Sequence, residues 1–360
     1  YIFFITIPFL NGMQSGVTVN SNVLFLYELS VLKNSKKNLS YSLIRPYLLK
    51  NSKKIVSMGF KSHNYYNDGF TNLDNNSEII AYHNISNYNE YYFMIYNKFL
   101  YLRFNPVQRI TSEKNNKSER LESTYNYLND RQGLINTHDS FLYQSSLALH
   151  YKGLAIGISN ESDWFGPGFH SSLIMSNNSA GFNHYFIGTL EQLRFRNFGI
   201  NFKYLVYENN ETDIPFFHSV LSGSMSFYNH QVISIGFSRS YFSRQLDKLS
   251  WSIEDAARLV FEPLFSKEKD NNYGNLFPGE PENWEPWDQT LSAYFNIYFP
   301  KSKLFTYFEI GTDDSRANYT DLRAHWDHNI GYVIGFRKYE IFNNENLFLL
   351  FPLSTLLYQL

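Results

Sequence analysis

The chain has 360 residues, a formal net charge of -2 and no cysteine. This charge gives no indication of a nucleic-acid partner, and the lack of cysteine excludes disulfides, thiolate metal sites and cysteine nucleophiles. Aromatic residues make up 19% of the chain, yet mean hydropathy is negative, and no apolar run reaches the roughly 20 residues of a membrane-spanning helix. The composition fits a transmembrane β-barrel or an aromatic-rich soluble β-sandwich.

The first residues have the composition of a targeting segment. Residues 1–10 are apolar, and residues 11–16 are mostly small or polar. This is typical of the hydrophobic part and cleavage region of a secretory signal whose beginning is missing. We therefore predict a signal-peptide remnant over residues 1–16 and one β-barrel domain over residues 17–360. The alternative for the apolar stretch is a buried first strand.

Short strands or helices are predicted in the first third of the chain, over residues 22–32, 39–49 and 55–63. Residues 91–104 predict a hairpin with its turn at Asn97 and Lys98, ended by Asn105 and Pro106. Residues 110–140 are polar, and we predict a helical or loop insertion there, outside the barrel.

Alternation of apolar and polar residues then predicts a series of strands over residues 153–159, 192–207, 232–238, 291–299, 304–311, 331–338 and 346–360. The second of these reads as a hairpin closed at residues 197–199, with Gly199 in the left-handed conformation. Residues 291–299 approach the length of about 9–11 residues that a tilted membrane strand needs. Periodicity alone does not distinguish an apolar face turned to lipid from one turned to a core.

Residues 244–288 predict a long loop. Within it, residues 252–262 form a short helix that is capped by Ser252 and Asp255 and ended by Pro263. Residues 278–288 follow as a loop rich in acids and tryptophan. The last residue is Leu360 rather than the aromatic residue that usually ends a complete barrel, so we expect truncation at both ends of the chain.

Residues 163–182 contain the most distinctive motif. Gly166, Pro167 and Gly168 require a tight turn, and nearby serines and asparagines can hydrogen-bond their own backbone. We predict an ordered loop and strand that folds inward. The residues assigned to the motif, with structural or ligand-facing roles, are Trp164, Gly166, Pro167, Gly168, Ser172, Ser176, Asn177 and Asn178.

Residues 164–168, 171–178 and 180–182 resemble the capsule-assembly Wzi family of outer-membrane proteins, and residues 307–314 are similar to an acidic strand end in that family. The likeness covers residues 147–339 with gaps. It implies a bacterial outer-membrane barrel of about eighteen strands. It also implies non-catalytic binding of capsular or other surface polysaccharide, no cofactor, and other capsule export or assembly proteins as further partners.

Sugars are bound by stacking on aromatic faces and by planar polar side chains that bridge hydroxyl groups. Arginines would add charge-assisted bonds if the polymer is acidic. On these grounds the predicted polysaccharide-binding residues are Trp284, Glu285, Trp287, Arg316, Arg323 and Trp326. The alternative is that the tryptophans belong to a membrane-interface belt and that the charges are solvated.

Two other functions compete. A diffusion or uptake channel would use Arg194, Arg196 and Lys203 as a basic stripe along its lumen. A metal-dependent function has little support, because the acidic residues and histidines of residues 313–328 lack an established ligand spacing. We therefore predict no metal site, and the sequence has no phosphate loop or dinucleotide motif.

A barrel hydrolase is the third possibility. His170 and Ser172 would share one face of a strand. Asn177 or Asn178 could then orient the imidazole in a Ser-His-Asn arrangement. Since the same residues belong to the family-like motif, we predict that the chain is not an enzyme.

Overall fold

The computed structural model describes residues 55–67, 84–111, 138–168, 172–175, 181–190, 192–209, 216–244, 287–312, 330–341 and 344–356. All regular secondary structure in these ranges is β-strand, which confirms the predicted all-β class. No helix long and apolar enough to cross a membrane occurs in them. The elements predicted at residues 1–16, 22–32, 39–49 and 252–262 lie outside the described residues.

Sixteen strands occur in the described part of the chain. They are β1 (Ile55–Asn67), β2 (Asn84–Tyr96), β3 (Leu100–Phe104), β4 (Pro106–Thr111), β5 (His138–Leu142), β6 (Ser146–Tyr151), β7 (Leu154–Ser159), β8 (His184–Thr189), β9 (Leu193–Phe195), β10 (Phe198–Asn209), β11 (Phe216–Tyr228), β12 (Val232–Arg244), β13 (Trp287–Phe299), β14 (Leu304–Thr312), β15 (Ile330–Ile341) and β16 (Asn344–Leu356). Strands β4 and β5 extend into the two ends of the insertion predicted at residues 110–140.

The chain divides into two compact units, the first of which contains β1 to β7. Strand β2 pairs with β1 on one side and with β3 and then β4 on the other. Strands β3 and β4 pair in turn with β6 and β5, and β6 pairs with β7. The unit is therefore an antiparallel meander, and its central strands are interrupted by short breaks.

The prediction that Asn105 and Pro106 end the strand is confirmed, since β3 ends at Phe104, but a further strand, β4, begins at Pro106. Proline is tolerated as the first residue of a strand, where its missing N–H costs no ladder hydrogen bond. Asn105 bridges the break: its N–H donates to Ser145 Oγ at 2.9 Å, and its carbonyl accepts from the N–H of Tyr143 at 2.9 Å. Local hydrogen bonds thus let the chain continue in the same direction.

The second unit contains the segment Phe165–Met175 and strands β8 to β16. Strand β10 pairs with β8 and β9, and from β10 to β16 each strand pairs antiparallel with the next. The hairpin predicted at residues 192–207 is present, but its turn is at Arg196 and Asn197, and Arg196 has φ 49°. Gly199 instead pairs with Arg194, where a Cβ would lie 2.4 Å from Gln192 Cδ.

Connections between strands are short at one end of each unit and longer at the other. The short ones include residues 97–99, 152–153, 229–231 and 300–303, and the longer ones 68–83, 112–137, 210–215, 245–286 and 313–329. Lys152 and Gly153 have φ of 50° and 90°, as a two-residue hairpin turn requires. Residues 300–303 form the short turn between the strands predicted at residues 291–299 and 304–311.

The two faces of the strands differ in polarity, and it is the polar face that is buried. Ile156 is 61% exposed and Ile235 47%, whereas Glu309 is 0% exposed. Ser222, Ser226, Ser234, Ser238 and Asn296 are also buried. A minority of apolar side chains, including Val220 and Val333, share the buried face. The alternation predicted for residues 291–299 is confirmed in β13, with its serine and asparagine on the buried side.

Candidate functional site

Within the second unit, the segment Phe165–Met175, which we call the inserted segment, lies against the buried faces of strands β14 and β15; residues 165–168 and 172–175 of it are described. Its two ends meet in an antiparallel bridge, in which the Phe165 N–H donates to the Met175 carbonyl at 3.0 Å. Gly166 has φ 138°, a conformation that residues with a Cβ rarely adopt. The predicted inward-folding loop is thus present in this part, but its described residues form an isolated bridge and not the predicted strand.

Two strands, β14 and β15, contact the described residues of the inserted segment. A Cβ on Gly166 would lie 2.6 Å from Glu309 Oε2 of β14. A Cβ on Gly311, also in β14, would lie 2.9 Å from Leu173 Cδ1. Arg337 of β15 directs Nη2 at the Pro167 carbonyl, 3.5 Å away. The close packing of the inserted segment on β14 therefore depends on a glycine in each of them, Gly166 and Gly311.

Glu309 is a fully buried acidic side chain directly under the inserted segment. The Ser292 hydroxyl and the Leu173 N–H are directed at its carboxylate. Neither carboxylate oxygen completes a hydrogen bond of good geometry with any residue that the structure describes. A buried carboxylate is costly unless it is paired and hydrogen-bonded. Glu309 therefore has unused acceptor capacity directly beneath the inserted segment.

Glu309 was not predicted as a site residue. The sequence signal that could have indicated it is the alternation of β14, in which Glu309 stands between the apolar residues Phe308 and Ile310. Both neighbours are exposed, at 38% and 40%. An acid on the opposite face from such neighbours must lie on the buried side, since side chains alternate along a strand.

Paired serine hydroxyls line the buried face between β11 and β12. Ser222 and Ser238 have hydroxyl oxygens 2.8 Å apart, and Ser226 and Ser234 are separated by the same distance. Each pair satisfies two buried polar groups at once, which is how buried hydroxyls are accommodated in folded proteins. These pairs fix the polar face as a packed, ordered surface.

Replacing Ser222 with alanine is expected to destabilise the fold by about 1–3 kcal/mol, because Ser238 then loses its buried partner. Ser238→Ala should cost a similar amount, and the double variant should cost less than the sum of the two. Denaturant unfolding of the purified protein measures all three. Ser302→Ala, an exposed serine in a short turn, is the control and should change little. Strict additivity of the two buried substitutions would contradict a coupled pair.

Tyrosine rings cover glycines on the same face. In the second unit a Cβ on Gly236 would lie 2.2 Å from Tyr294 Cε2, and the Tyr294 hydroxyl donates to the Gly223 carbonyl at 3.1 Å. In the first unit a Cβ on Gly59 would lie 2.5 Å from Tyr92 Cε1. An aromatic ring over a cross-strand glycine stabilises the pair and pins the register.

Two buried carboxylates of the first unit lie beside side chains of opposite charge. Glu161 accepts from the Tyr101 hydroxyl at 3.1 Å, and its Oε1 lies 3.6 Å from Arg103 Nη1. Glu90, 3% exposed, forms an ion pair with Lys61 at 3.6 Å. Partners of opposite charge reduce the cost of burying these carboxylates.

The predicted motif residues that are described are largely buried. Trp164, Gly166, Pro167 and Gly168 are buried, and Trp164 is 5% exposed. Ser172 is half-buried, and its hydroxyl donates to the Phe165 carbonyl, a contact within the inserted segment. The remaining motif residues, Ser176, Asn177 and Asn178, and the hydrolase candidate His170 lie outside the described residues.

The predicted polysaccharide-binding residues are mostly outside the described part of the chain, namely Trp284, Glu285, Arg316, Arg323 and Trp326. Trp287 is described, and it is the first residue of β13 rather than part of a loop, so the loop predicted over residues 278–288 ends too late. The reason is pairing: Trp287 lies opposite Ser243, and Asp288 opposite Phe242, in the ladder with β12.

The basic residues of the channel alternative are found in different surroundings. Register pairs Arg194 with Gly199, which places it on the same face as Lys203. Arg194 and Arg196 are exposed near the turn, and the Arg194 guanidinium lies 4.5 Å from the Tyr228 ring centroid. Lys203 is 7% exposed, and its Nζ lies 4.7 Å from the Phe186 ring centroid.

The described residues contain no group of three or more His, Asp or Glu side chains able to hold a metal ion. Comparison of the chain with protein-family models, with curated proteins and with solved structures gives no match. The described strands carry hydroxyls, amides and charges on the buried face, and aliphatic and aromatic groups on the exposed face.

Proposed function

We propose that this chain is a transmembrane antiparallel β-barrel of the bacterial outer membrane, with lipid against its exposed apolar face. The observation that carries this proposal is the inverted burial of the strands. Leu149, Ile156 and Phe237 are exposed at 63%, 61% and 49%. Exposing apolar surface to water costs about 25 cal/mol per Å², and that cost is absent in a hydrocarbon environment. An apolar outer face and a polar inner face are typical of membrane barrels.

The arrangement of the connections supports the same proposal. Outer-membrane barrels have short turns on the periplasmic side and longer loops on the extracellular side. Both units have this asymmetry. Strands such as β11, β12 and β13, each of 13 residues, exceed the ~9–11 residues needed to cross the hydrocarbon layer. On this basis the longer connections face the cell exterior.

The function that we propose for the barrel is non-catalytic binding of capsular or other surface polysaccharide at its extracellular connections. Support comes from the resemblance of residues 163–182 and from the residue types of Trp284, Arg316, Arg323 and Trp326, which lie in or beside those connections. The inserted segment against the buried face favours a binding protein over an open pore. In this role, the further partners of the chain would be capsule export or assembly proteins.

Changing Trp284 and Trp287 together to alanine is expected to reduce capsule retention several-fold, because both stacking surfaces for sugar rings are removed. The measurement is the amount of capsule on intact cells of a capsulated host that expresses the chain in place of its own capsule-binding protein. Binding of labelled capsular polysaccharide to the detergent-solubilised protein provides a second readout.

Tyr185→Ala is the matched control, because it removes an aromatic ring that is 69% exposed on the apolar face. Surface biotinylation should show equal amounts of all variants. Retention of capsule by the double variant would show that Trp284 and Trp287 do not take part in polysaccharide binding. Absence of polysaccharide binding by the unmodified protein in both assays would contradict the proposed function itself.

A further inference from the structure

Two adjacent short turns of the first unit place two lysines beside two stacked rings. The turns are residues 97–99 and 152–153, and they adjoin because Leu100 of β3 pairs with Leu149 of β6. The rings of Phe99 and Tyr151 stack with centroids 5.9 Å apart and an interplanar angle of 14°. We call this set, Lys98, Phe99, Tyr151 and Lys152, the turn-pair site.

Both ammonium groups lie over the rings. Lys98 Nζ is 5.0 Å from the Phe99 centroid and 5.7 Å from the Tyr151 centroid, and Lys152 Nζ is 5.3 Å from the Tyr151 centroid. Neither lysine forms an ion pair with a carboxylate in the part of the chain that the structure describes. Both lysines are exposed, so their charge remains available to an external anion.

Hydrogen bonds from the Asn97 side chain and from the backbone hold the turns in place. Asn97 Oδ1 accepts hydrogen bonds from the N–H groups of Phe99 and Leu100, at 2.9 and 3.0 Å. The His150 N–H donates to the Phe99 carbonyl at 2.9 Å, which ties one turn to the neighbouring strand. Lys152 is presented from a left-handed conformation with φ 50°. Such ordering lowers the entropic cost of binding a ligand between the two lysines.

Apolar side chains continue from the turn-pair site along the exposed face. Leu147, Leu149 and Leu154 are 45%, 63% and 47% exposed. The surface thus combines a cationic rim with an aliphatic wall, which matches a molecule that has an anionic head and hydrocarbon tails. Inorganic phosphate would contact only the lysines of the rim and would make no contact with the exposed leucines.

The short turns of the second unit have a related composition. They carry Arg196, His230, Lys301 and Lys303, and the described residues 196–197, 229–231 and 300–303 contain no Asp or Glu. A basic, acid-free end suits an anionic membrane surface, which attracts lysine and arginine close to the headgroups. What distinguishes the turn-pair site is that its two lysines share one stacked pair of rings.

We propose that the turn-pair site binds the headgroup of an anionic phospholipid in the leaflet at the short-turn end of the barrel. This inference rests on the proposed membrane location. The phosphate accepts hydrogen bonds from the two ammonium groups, the rings lie at headgroup level, and the acyl chains follow the leucine wall. Aromatic rings and lysines that extend towards the headgroups are typical of this depth.

The test measures which lipid stays bound to the purified barrel. The protein is mixed in detergent with equal amounts of phosphatidylglycerol and phosphatidylcholine, and retained lipid is measured by native mass spectrometry. We expect phosphatidylglycerol to be enriched several-fold, and the enrichment to be lost when Lys98 and Lys152 are both changed to Gln. Changing both to Arg should preserve it, because the charges remain.

Lys301→Gln together with Lys303→Gln is the matched control. It removes the same charge at another short turn, and Lys303 also has φ 50°. We expect this control to keep most of the enrichment and inorganic phosphate to leave it unchanged. The proposal would be contradicted if the control lost as much phosphatidylglycerol enrichment as the Lys98 and Lys152 variant, or if inorganic phosphate displaced the lipid. It would also be contradicted if the unmodified protein showed no lipid preference.

A separate assay isolates the membrane proposal. Refolding into vesicles of phosphatidylcholine alone tests insertion without an anionic lipid, and protection from protease reports it. Failure to insert would contradict the proposed membrane location. Normal insertion combined with no phosphatidylglycerol preference would contradict the lipid site alone.

Discussion

Replacing Gly166 with alanine is expected to displace the inserted segment from the buried face and, in the barrel that we propose, to raise the conductance. The new Cβ would lie 2.6 Å from Glu309 Oε2 and 2.9 Å from Ser172 Oγ, at a residue with φ 138°. Backbone strain is expected to lower the free energy of unfolding by about 1–3 kcal/mol, and overpacking is expected to lower it by about another 1–3 kcal/mol. Glu309 is fully buried, so its carboxylate has little room to move away.

Planar-bilayer recording measures the conductance, and denaturant unfolding measures the loss of stability. The unmodified protein should conduct little, because the inserted segment covers the buried face, whereas Gly166→Ala should open frequently or continuously. Glu309→Ala in the same variant should restore part of the stability, since it removes the closest contact but not the backbone strain. A large conductance of the unmodified protein would instead favour the diffusion channel.

Gly223→Ala is the matched control for this substitution. Its Cβ would meet Phe237 Cε1 at 3.4 Å, an ordinary contact, and the backbone at Gly223 has no positive φ. We expect unchanged conductance and nearly unchanged stability. If Gly166→Ala behaved like Gly223→Ala in both assays, the inserted segment would not depend on a glycine at this position.

Strand positions were predictable because side-chain alternation is local. Residues 232–238 and 291–299 alternate in a way that only a pleated strand uses, and both lie within strands, β12 and β13. The direction of the faces was not predictable. Ile235 on one face and Ser234 on the other satisfy the same period whether the isoleucine points into a core or outward, and only the burial values show that the serine is the one inside.

Turns and long-range contacts were harder to predict for separate reasons. Gly199 was assigned the left-handed position because glycine adopts it without cost, yet Arg196 takes it and Gly199 makes room for Gln192. The contact of Gly166 with Glu309 joins residues far apart in the chain. The resemblance indicated an inward-folding segment at residues 163–182 but not the strand residue against which it packs.

Under the proposed membrane location, placing a lysine at Phe237 is expected to destabilise the protein by about 2–4 kcal/mol, because the charge would lie near the middle of the hydrocarbon layer. Phe237 is the sixth of the 13 residues of β12 and is 49% exposed. Unfolding by denaturant in lipid vesicles measures the change. Phe237→Leu separates the effect of charge from the loss of the ring and should cost less.

Phe227→Lys completes the comparison, because Phe227 has the same side chain at a different depth. It is 45% exposed on the neighbouring strand β11, next to the turn at residues 229–231. Near the interface the same lysine should cost only about 0–1 kcal/mol, since its ammonium reaches the headgroups. If water covered the apolar face, lysine at either of these half-exposed positions would change the free energy of unfolding by a similar amount. Equal destabilisation at Phe227 and Phe237 would therefore contradict the proposal that lipid covers this face.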